Sequence, residues 1–348
     1  MSEPAKIAMF FLALDNDYQD LQRDVARVAA QRHHFTLKEV SAFNNGERQV
    51  TQVKECLAEP EGVRARAIVV CPVADVLMRP LAEDAARLGV AFVVVNRPCD
   101  HLAALRMKYP RVPLFGVSPD QKHVGCIQGQ QFKKLLPRGG SVFYVRGAVG
   151  AASAEMRLEG VQRELANTDI KMVIENGDWS LVSGERAIQS RLRTPGAFTG
   201  SNWIVGAQND LMAVGARSAL QAAAAELKRP ELAEIPVTGC DGTRTYGQTM
   251  VRTRKLAATV VLPPTAERAI DDLAQAFSSG KTPTVDVLLE AASFRALELI
   301  GAGVSGARVA EGPGPARSPV APASTVGERL PDGSGSERKR LAFKARAT

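Results

Sequence analysis

Ala207-Gln208-Asn209-Asp210-Leu211-Met212-Ala213-Val214-Gly215-Ala216 is the stretch that decides the fold. An apolar run over residues 203–208 leads into it, forked polar side chains interrupt it, and an apolar-periodic segment over 211–227 leads out. Hydrophobic spacing changes from that of a strand to that of a helix within three residues. Asp210 stands where an Asp caps a helix beginning at Leu211.

The same strand, polar turn and helix recur on both sides. Strands are expected at 6–14, 36–42, 67–73, 91–96, 114–117, 141–145, 171–175, 203–208, 235–239, 257–261 and 285–289. Amphipathic helical segments fall between them at 21–31, 49–57, 81–88, 124–136, 153–165, 183–192, 211–227 and 265–277. Continuous apolar strands such as Ala67-Ile68-Val69-Val70 suit a parallel sheet covered by helices on both faces. The expectation is α/β, with doubly wound parallel sheets.

Length and charge narrow the function. The chain has 348 residues, 45% hydrophobic and 23% charged, which excludes a largely disordered protein. No apolar run approaches the roughly 18–20 residues of a membrane span, so no membrane insertion is expected. Residues 301–348 hold eight Lys/Arg and four Asp/Glu, so +4 of the net +7 lies there and +3 on the rest. That distribution argues against a basic body reading nucleic acid. Residues 297–348 are expected to form a disordered basic tail rich in Gly and Pro.

Cys56, Cys71, Cys99, Cys126 and Cys240 are odd in number and lack metal-type spacing, so buried free thiols are expected and no metal or cofactor. Residues 7–14 have the length of a signal-peptide core. However, residues 1–6 carry one Glu and one Lys, and Asp15-Asn16-Asp17-Tyr18 offers no small-residue cleavage site. They are read as the first strand, which makes the chain cytoplasmic as written.

Ligands of such sheets bind beyond the carboxyl ends of the strands. The residues found there include Asn16 and Tyr18, Cys71-Pro72, Asn96-Arg97, Gly147 to Gly150, Gly177-Asp178-Trp179, Asn209-Asp210 and Cys240-Asp241-Gly242. Together with Gly116-Val117-Ser118-Pro119-Asp120, Gly125, Ser153-Ala154, Arg157, Gly160 and Lys255-Leu256-Ala257-Ala258-Thr259-Val260, these pieces resemble the type I periplasmic sugar-binding proteins. The likeness is to their ribose- and allose-binding branch, the substrate-binding proteins of sugar ABC transporters, and spans residues 6 to about 290.

The resemblance implies two lobes joined by three hinge crossings, near 117–119, 261–263 and 281–284. The N-terminal lobe would comprise 1–117 plus 263–281, and the C-terminal lobe 118–262 plus 282–296. It implies no enzyme, a small carbohydrate or polyol ligand, an ABC permease or a sensor partner such as a kinase, a periplasmic or envelope setting, and a monomer. It implies ligand contacts from Asn16, Tyr18, Cys71, Asn96, Arg97, Glu155, Trp179, Asn209, Asp241 and Leu262.

Four of these depart from the ribose pattern. Cys71 replaces an amide, Asn96 a carboxylate, Glu155 an Arg and Leu262 a Gln. A less hydroxylated sugar, a polyol, or an amino-bearing relative meeting Glu155 is therefore expected rather than ribose.

Three other classes fare worse on the residues themselves. A repressor of this core needs a helix-turn-helix ahead of the first strand, where only five residues stand. Ser279-Gly280-Lys281-Thr282 lacks the first Gly of a phosphate loop, and Pro283 breaks the helix that should follow. No Gly-x-Ser-x-Gly run accompanies a nearby His.

Overall fold

The computed structural model describes residues 4–14, 16–200 and 202–300. Buried apolar strands drive the first half of the chain into one parallel sheet. Its members are β1 (Lys6–Phe11), β2 (Thr36–Ser41), β3 (Ala67–Val70), β4 (Ala91–Val95) and β5 (Leu114–Pro119). Every residue of β3 and β4 is buried, because helices cover both faces. On one face lie α1 (Asp17–Arg32) and, from late in the chain, α11 (Thr265–Ser279). On the other lie α2 (Gly46–Ala58), α3 (Met78–Arg87) and α4 (His101–Lys108).

The second sheet is built from β6 (Gly140–Arg146), β7 (Ile170–Asn176), β8 (Trp203–Ala207) and β9 (Val237–Thr238), in the order β7-β6-β8-β9. Helices α5 (Gln121–Leu135) and α6 (Ala152–Leu165) cover one face. The other is covered by α7 (Leu181–Leu192), α8 (Asp210–Glu226) and the short α9 (Glu231–Glu234), and a further short helix, α10 (Gly247–Arg252), follows β9. Helices α5 and α6 cross closely because Gly125 and Gly160 face each other. A Cβ on Gly125 would strike the carbonyl of Arg157, and one on Gly160 that of Lys122. Trp203 packs partly buried against Phe198, with ring centroids 5.2 Å apart.

Three connections join the sheets. The first leaves β5 for α5. The second leaves β10 (Thr259–Val261) for α11 through residues 262–264. The third differs from expectation. Strand β11 (Asp286–Leu289) pairs in parallel with β5, giving the first sheet the order β11-β5-β4-β3-β1-β2. The chain crosses only after it, before β12 (Ala292–Phe294) pairs antiparallel with β10.

Residues 286–289 therefore sit with the first sheet, not with the second lobe. Pro283 and Lys281 suggested a linker, but Val287 buries against the first core and leaves the crossing for residues 290–291. A small core at the crossings joins Tyr18, Val124, Ile127, Cys240, Val260, Leu262 and Ala291.

All five cysteines are free and buried. No helix among the described residues is long and apolar enough to cross a membrane. The expected tail at 301–348 lies outside the described residues. Of its expected start, 297–299 form a short 3-10 turn and Ile300 is buried.

Candidate functional site

At the carboxyl edges of the two sheets, a cavity of about 620 Å³ opens between the lobes. That volume suits one small molecule.

The first wall comes from loops after β1, β3 and β4. Asn16 caps α1, its side chain accepting from the Gln19 N–H at 3.0 Å. Two residues on, the Tyr18 hydroxyl donates to Asn96 Oδ1 at 3.1 Å and reaches the Pro263 carbonyl at 3.4 Å. Burial, with the nearby Asp241 charge, pushes the Tyr18 phenol far above its ordinary range, so it remains a donor.

Behind Asn96 lies Cys71. Burial lifts its thiol to about 11, while Arg97 and a hydrogen bond from Asn96 pull the other way. Cys71 and Tyr18 thus orient the Asn96 amide from two sides. Arg97 points its Nη1 toward Asp75 Oδ2, at 3.8 Å.

The second wall is organised by one buried cation. Arg157, on α6, donates from Nε to Gln121 Oε1 at 2.8 Å and from Nη1 to the Gln208 carbonyl at 2.5 Å. Gln208 in turn accepts from the Gly147 N–H at 2.8 Å and donates to the Ala154 carbonyl at 2.9 Å. The Arg157 guanidinium lies 5.7 Å from the centre of the Trp179 ring, within range of a cation–π contact. Gly147 makes room for that ring, since a Cβ there would overlap the indole.

Below this layer three carboxyls gather. Asp241 lines the cavity; burial pushes its pKa well above the carboxylate range, Arg157 opposes this, and Asp210 and Asp17 add to it. Asp210 is also raised by burial, although Thr259 Oγ at 2.7 Å and the Gly242 N–H at 2.8 Å both donate to it. Asp17 accepts from Thr243, and burial raises it too. Asp241 and Asp210 both lie in the field of the Arg157 guanidinium, and Asp17 adds a third negative group nearby, so like-charge repulsion favours retention of protons.

Four wall residues with a Cβ hold left-handed backbones among the described residues: Asn44 at φ 59°, Asn96 at φ 66°, Trp179 at φ 72° and Asp241 at φ 106°. Such conformations cost roughly 1–2 kcal/mol for residues with a Cβ and cluster where side chains must be aimed.

Seven of the ten expected residues line the cavity together: Asn16, Tyr18, Asn96, Arg97, Trp179, Asn209 and Asp241. Three do not. Cys71 lies beneath Asn96. Leu262 is buried in the core at the crossings, against Tyr18. Glu155 is exposed and pairs with Arg146. The hydrogen-bonding capacity that Cys71 and Leu262 lack is therefore not lost from the wall, and Glu155 is not placed to meet an amine.

The capping assignment also shifts by one residue. Asn209 caps α8, accepting from the Met212 N–H at 2.9 Å and donating to the Trp179 carbonyl at 2.8 Å. Asp210 is buried inside the first turn.

Sequence reasoning missed Arg157, Asp75 and Ser153 as wall residues. Arg157 stood in the family-like run Ser153-Ala154-Glu155-Met156-Arg157, one helical turn past Ser153, and that spacing is its signal. Asp75 follows an apolar Val73-Ala74 and carries none.

Comparisons with known proteins agree with this geometry. Residues 7–282 match the family model described as a periplasmic binding protein domain. The chain is 26% identical over 260 residues to the ribose import binding protein of Salmonella typhimurium, covering 74% of this chain and 79% of that one. It is 30% identical over 213 residues to a putative rhizopine-binding protein of Rhizobium meliloti, covering 58% and 61%. A solute-binding protein of Actinobacillus succinogenes with bound D-allose superposes with a TM-score of 0.71 at 21% identity. That match covers 83% of this chain and 96% of the other.

Proposed function

We propose that this chain, which belongs to the periplasmic binding protein family, closes its two lobes on a small neutral sugar or cyclic polyol and presents it to an ABC permease. The observation that carries this is the convergence of Asn96, Trp179 and Asp241, all in left-handed backbone, on one cavity from both sheets.

The chemistry fits a polyhydroxylated ring. Amides and a phenol offer donors and acceptors together, and the Trp179 ring covers an apolar face. Arg97 supplies charge-assisted bonds, which are the stronger ones, and a protonated Asp241 offers a hydroxyl donor beside an acceptor oxygen. The polar groups are fixed by other protein groups before a ligand arrives, which reduces the cost of ordering them on binding. The curated relatives extend the same chemistry, one being named for ribose import.

Calorimetry with D-ribose, D-allose, L-arabinose and myo-inositol tests the reading. At least one should bind, and Asp241→Ala should weaken it about tenfold to a hundredfold, the range for leaving a buried polar partner unsatisfied. Binding by none would overturn the proposal. The transport role is tested by uptake of the bound ligand in a strain lacking the gene; unchanged uptake would refute it.

A further inference from the structure

Asn96 meets the cavity from a left-handed backbone, and both of its main-chain polar groups are tied to the first crossing. Its N–H donates to the Val117 carbonyl at 2.8 Å, on the β5 side of that crossing. Its carbonyl accepts from Gln121 Nε2 at 3.3 Å, on the α5 side. Only residues 118–120 separate the two anchors. The Asn96 turn therefore straddles the point where the chain leaves the first sheet for the second.

Gln121 suits this place by its chemistry. Asp120 caps α5, accepting from the His123 N–H at 2.9 Å, and Gln121 follows as the first helical residue, turned inward and 1% exposed. Its side chain does not line the cavity. Its Oε1 accepts from Arg157 Nε at 2.8 Å. An arginine nitrogen can only donate, which fixes the amide oxygen toward Arg157 and leaves the NH2 group for Asn96. The shorter contact lies within the second lobe, and the longer one reaches the first. Two other buried glutamines differ. Gln49 uses both amide ends within the first lobe, on the Cys71 carbonyl and the Val73 N–H. Gln128 uses both within the second, on the Ala207 carbonyl and the Tyr144 hydroxyl.

We propose that Gln121 is a positioning residue that couples lobe closure to the aim of Asn96. With one end on Arg157 and the other on the Asn96 carbonyl, it sets the amide of the first wall against the cation of the second. The inference rests on the reading of a cleft that closes on a sugar, but the contacts it names exist without one. Rotation about residues 118–120 carries Gln121 with α5 and stretches or restores its bond to Asn96. The Asn96 amide is then aimed correctly only when the walls face each other. A residue acting in this way can lose no more affinity than Asn96 itself supplies.

Gln121→Glu separates the two ends. It keeps an acceptor for Arg157 but turns a carboxylate oxygen toward the Asn96 carbonyl, where no donor remains. Hydrogen exchange on the ligand-free full chain, resolved at single amides by NMR, reads the hold on the turn. The Asn96 amide should exchange about two- to tenfold faster than in the wild type, the range for one hydrogen bond, over and above any change shared with the amides of β3. Gln121→Met removes both ends and should speed Asn96 at least as much. Calorimetry with D-ribose, D-allose, L-arabinose and myo-inositol reads the consequence. For each that binds, Gln121→Glu should weaken affinity about two- to tenfold, but less than about twofold in an Asn96→Gly background. Gly accepts the left-handed backbone, so the carbonyl stays in place without its amide.

Unaltered Asn96 exchange in both Gln121 variants would overturn the inference. So would unchanged affinity for a sugar that the wild type binds. An undiminished loss in the Asn96→Gly background would also overturn it, because Gln121 would then act through Arg157 alone. If exchange responds as stated but none of the four sugars binds, the positioning of Asn96 stands and the sugar-binding reading falls.

Discussion

The two walls of the cleft are held in different ways. The second is built around Arg157, whose guanidinium is engaged by Gln121, Gln208 and the Trp179 face before any ligand is present. The first is a neutral chain from Cys71 through Asn96 to Tyr18, flanked by an Arg97–Asp75 pair that stops short of hydrogen-bonding distance. A buried cation tolerates no loose partner, because desolvation makes each missing bond expensive. Neutral amides and phenols carry a smaller desolvation penalty than a buried cation. The contrast indicates that the second wall, anchored by a buried cation, is the more tightly held of the two.

Replacing Arg157 with Met tests the contrast most severely. It leaves Gln121 Oε1 and the Gln208 carbonyl unpaired and removes the counter-charge of Asp241 and Asp210. Urea unfolding should show a loss of about 3–5 kcal/mol, together with loss of binding. A change below 1 kcal/mol would remove the claim that this wall is organised by one cation. Trp179→Ala should weaken ligand about tenfold or more while stability changes less, since the ring is half-buried and aimed at the cavity. Calorimetry and thermal melts on the same samples separate the two effects.

A smaller effect is expected from pH. Asp210 is pushed up to about 7 by burial, whereas an unfolded chain gives roughly 4. The folded state then holds a proton that the unfolded state releases. This contribution is complete below about pH 4 and is lost as pH rises through about 7. Asp210→Asn should flatten the wild-type fall in urea midpoint between pH 4.5 and 7.5; parallel profiles would show that Asp210 is ionised throughout. Glu155→Ala should do least of all. Its carboxylate pairs with Arg146 at the surface, so affinity should stay within about twofold. A large loss would return Glu155 to the wall.

Most of the fold was legible because its strands are buried on both faces and read as unbroken apolar runs, as Ala67–Val70 does. Strand β12 was not, since Ala-Ser-Phe has no period, and β11 was placed in the wrong lobe because pairing partners are not written in a single strand. Within the site, Asn16, Asn96, Trp179 and Asp241 were found because each stands in a turn after a strand. Cys71 and Leu262 also follow strands yet are buried behind the wall, and Glu155 stands in the first turn of α6, exposed and paired with Arg146. Asp75 lines the cavity from a 3-10 turn after β3 that no sequence pattern marks.

The alternation of apolar runs with polar turns was enough to specify a doubly wound chain and the edges on which its polar residues gather. That is local information, carried by periodicity and by the backbone demands of turns. Which lobe β11 joins, which of Asn209 and Asp210 caps α8, and how Asp241 and Asp210 come to lie near Arg157 were decided by packing. Those outcomes depend on distances between residues far apart in the chain, and no local pattern encodes them.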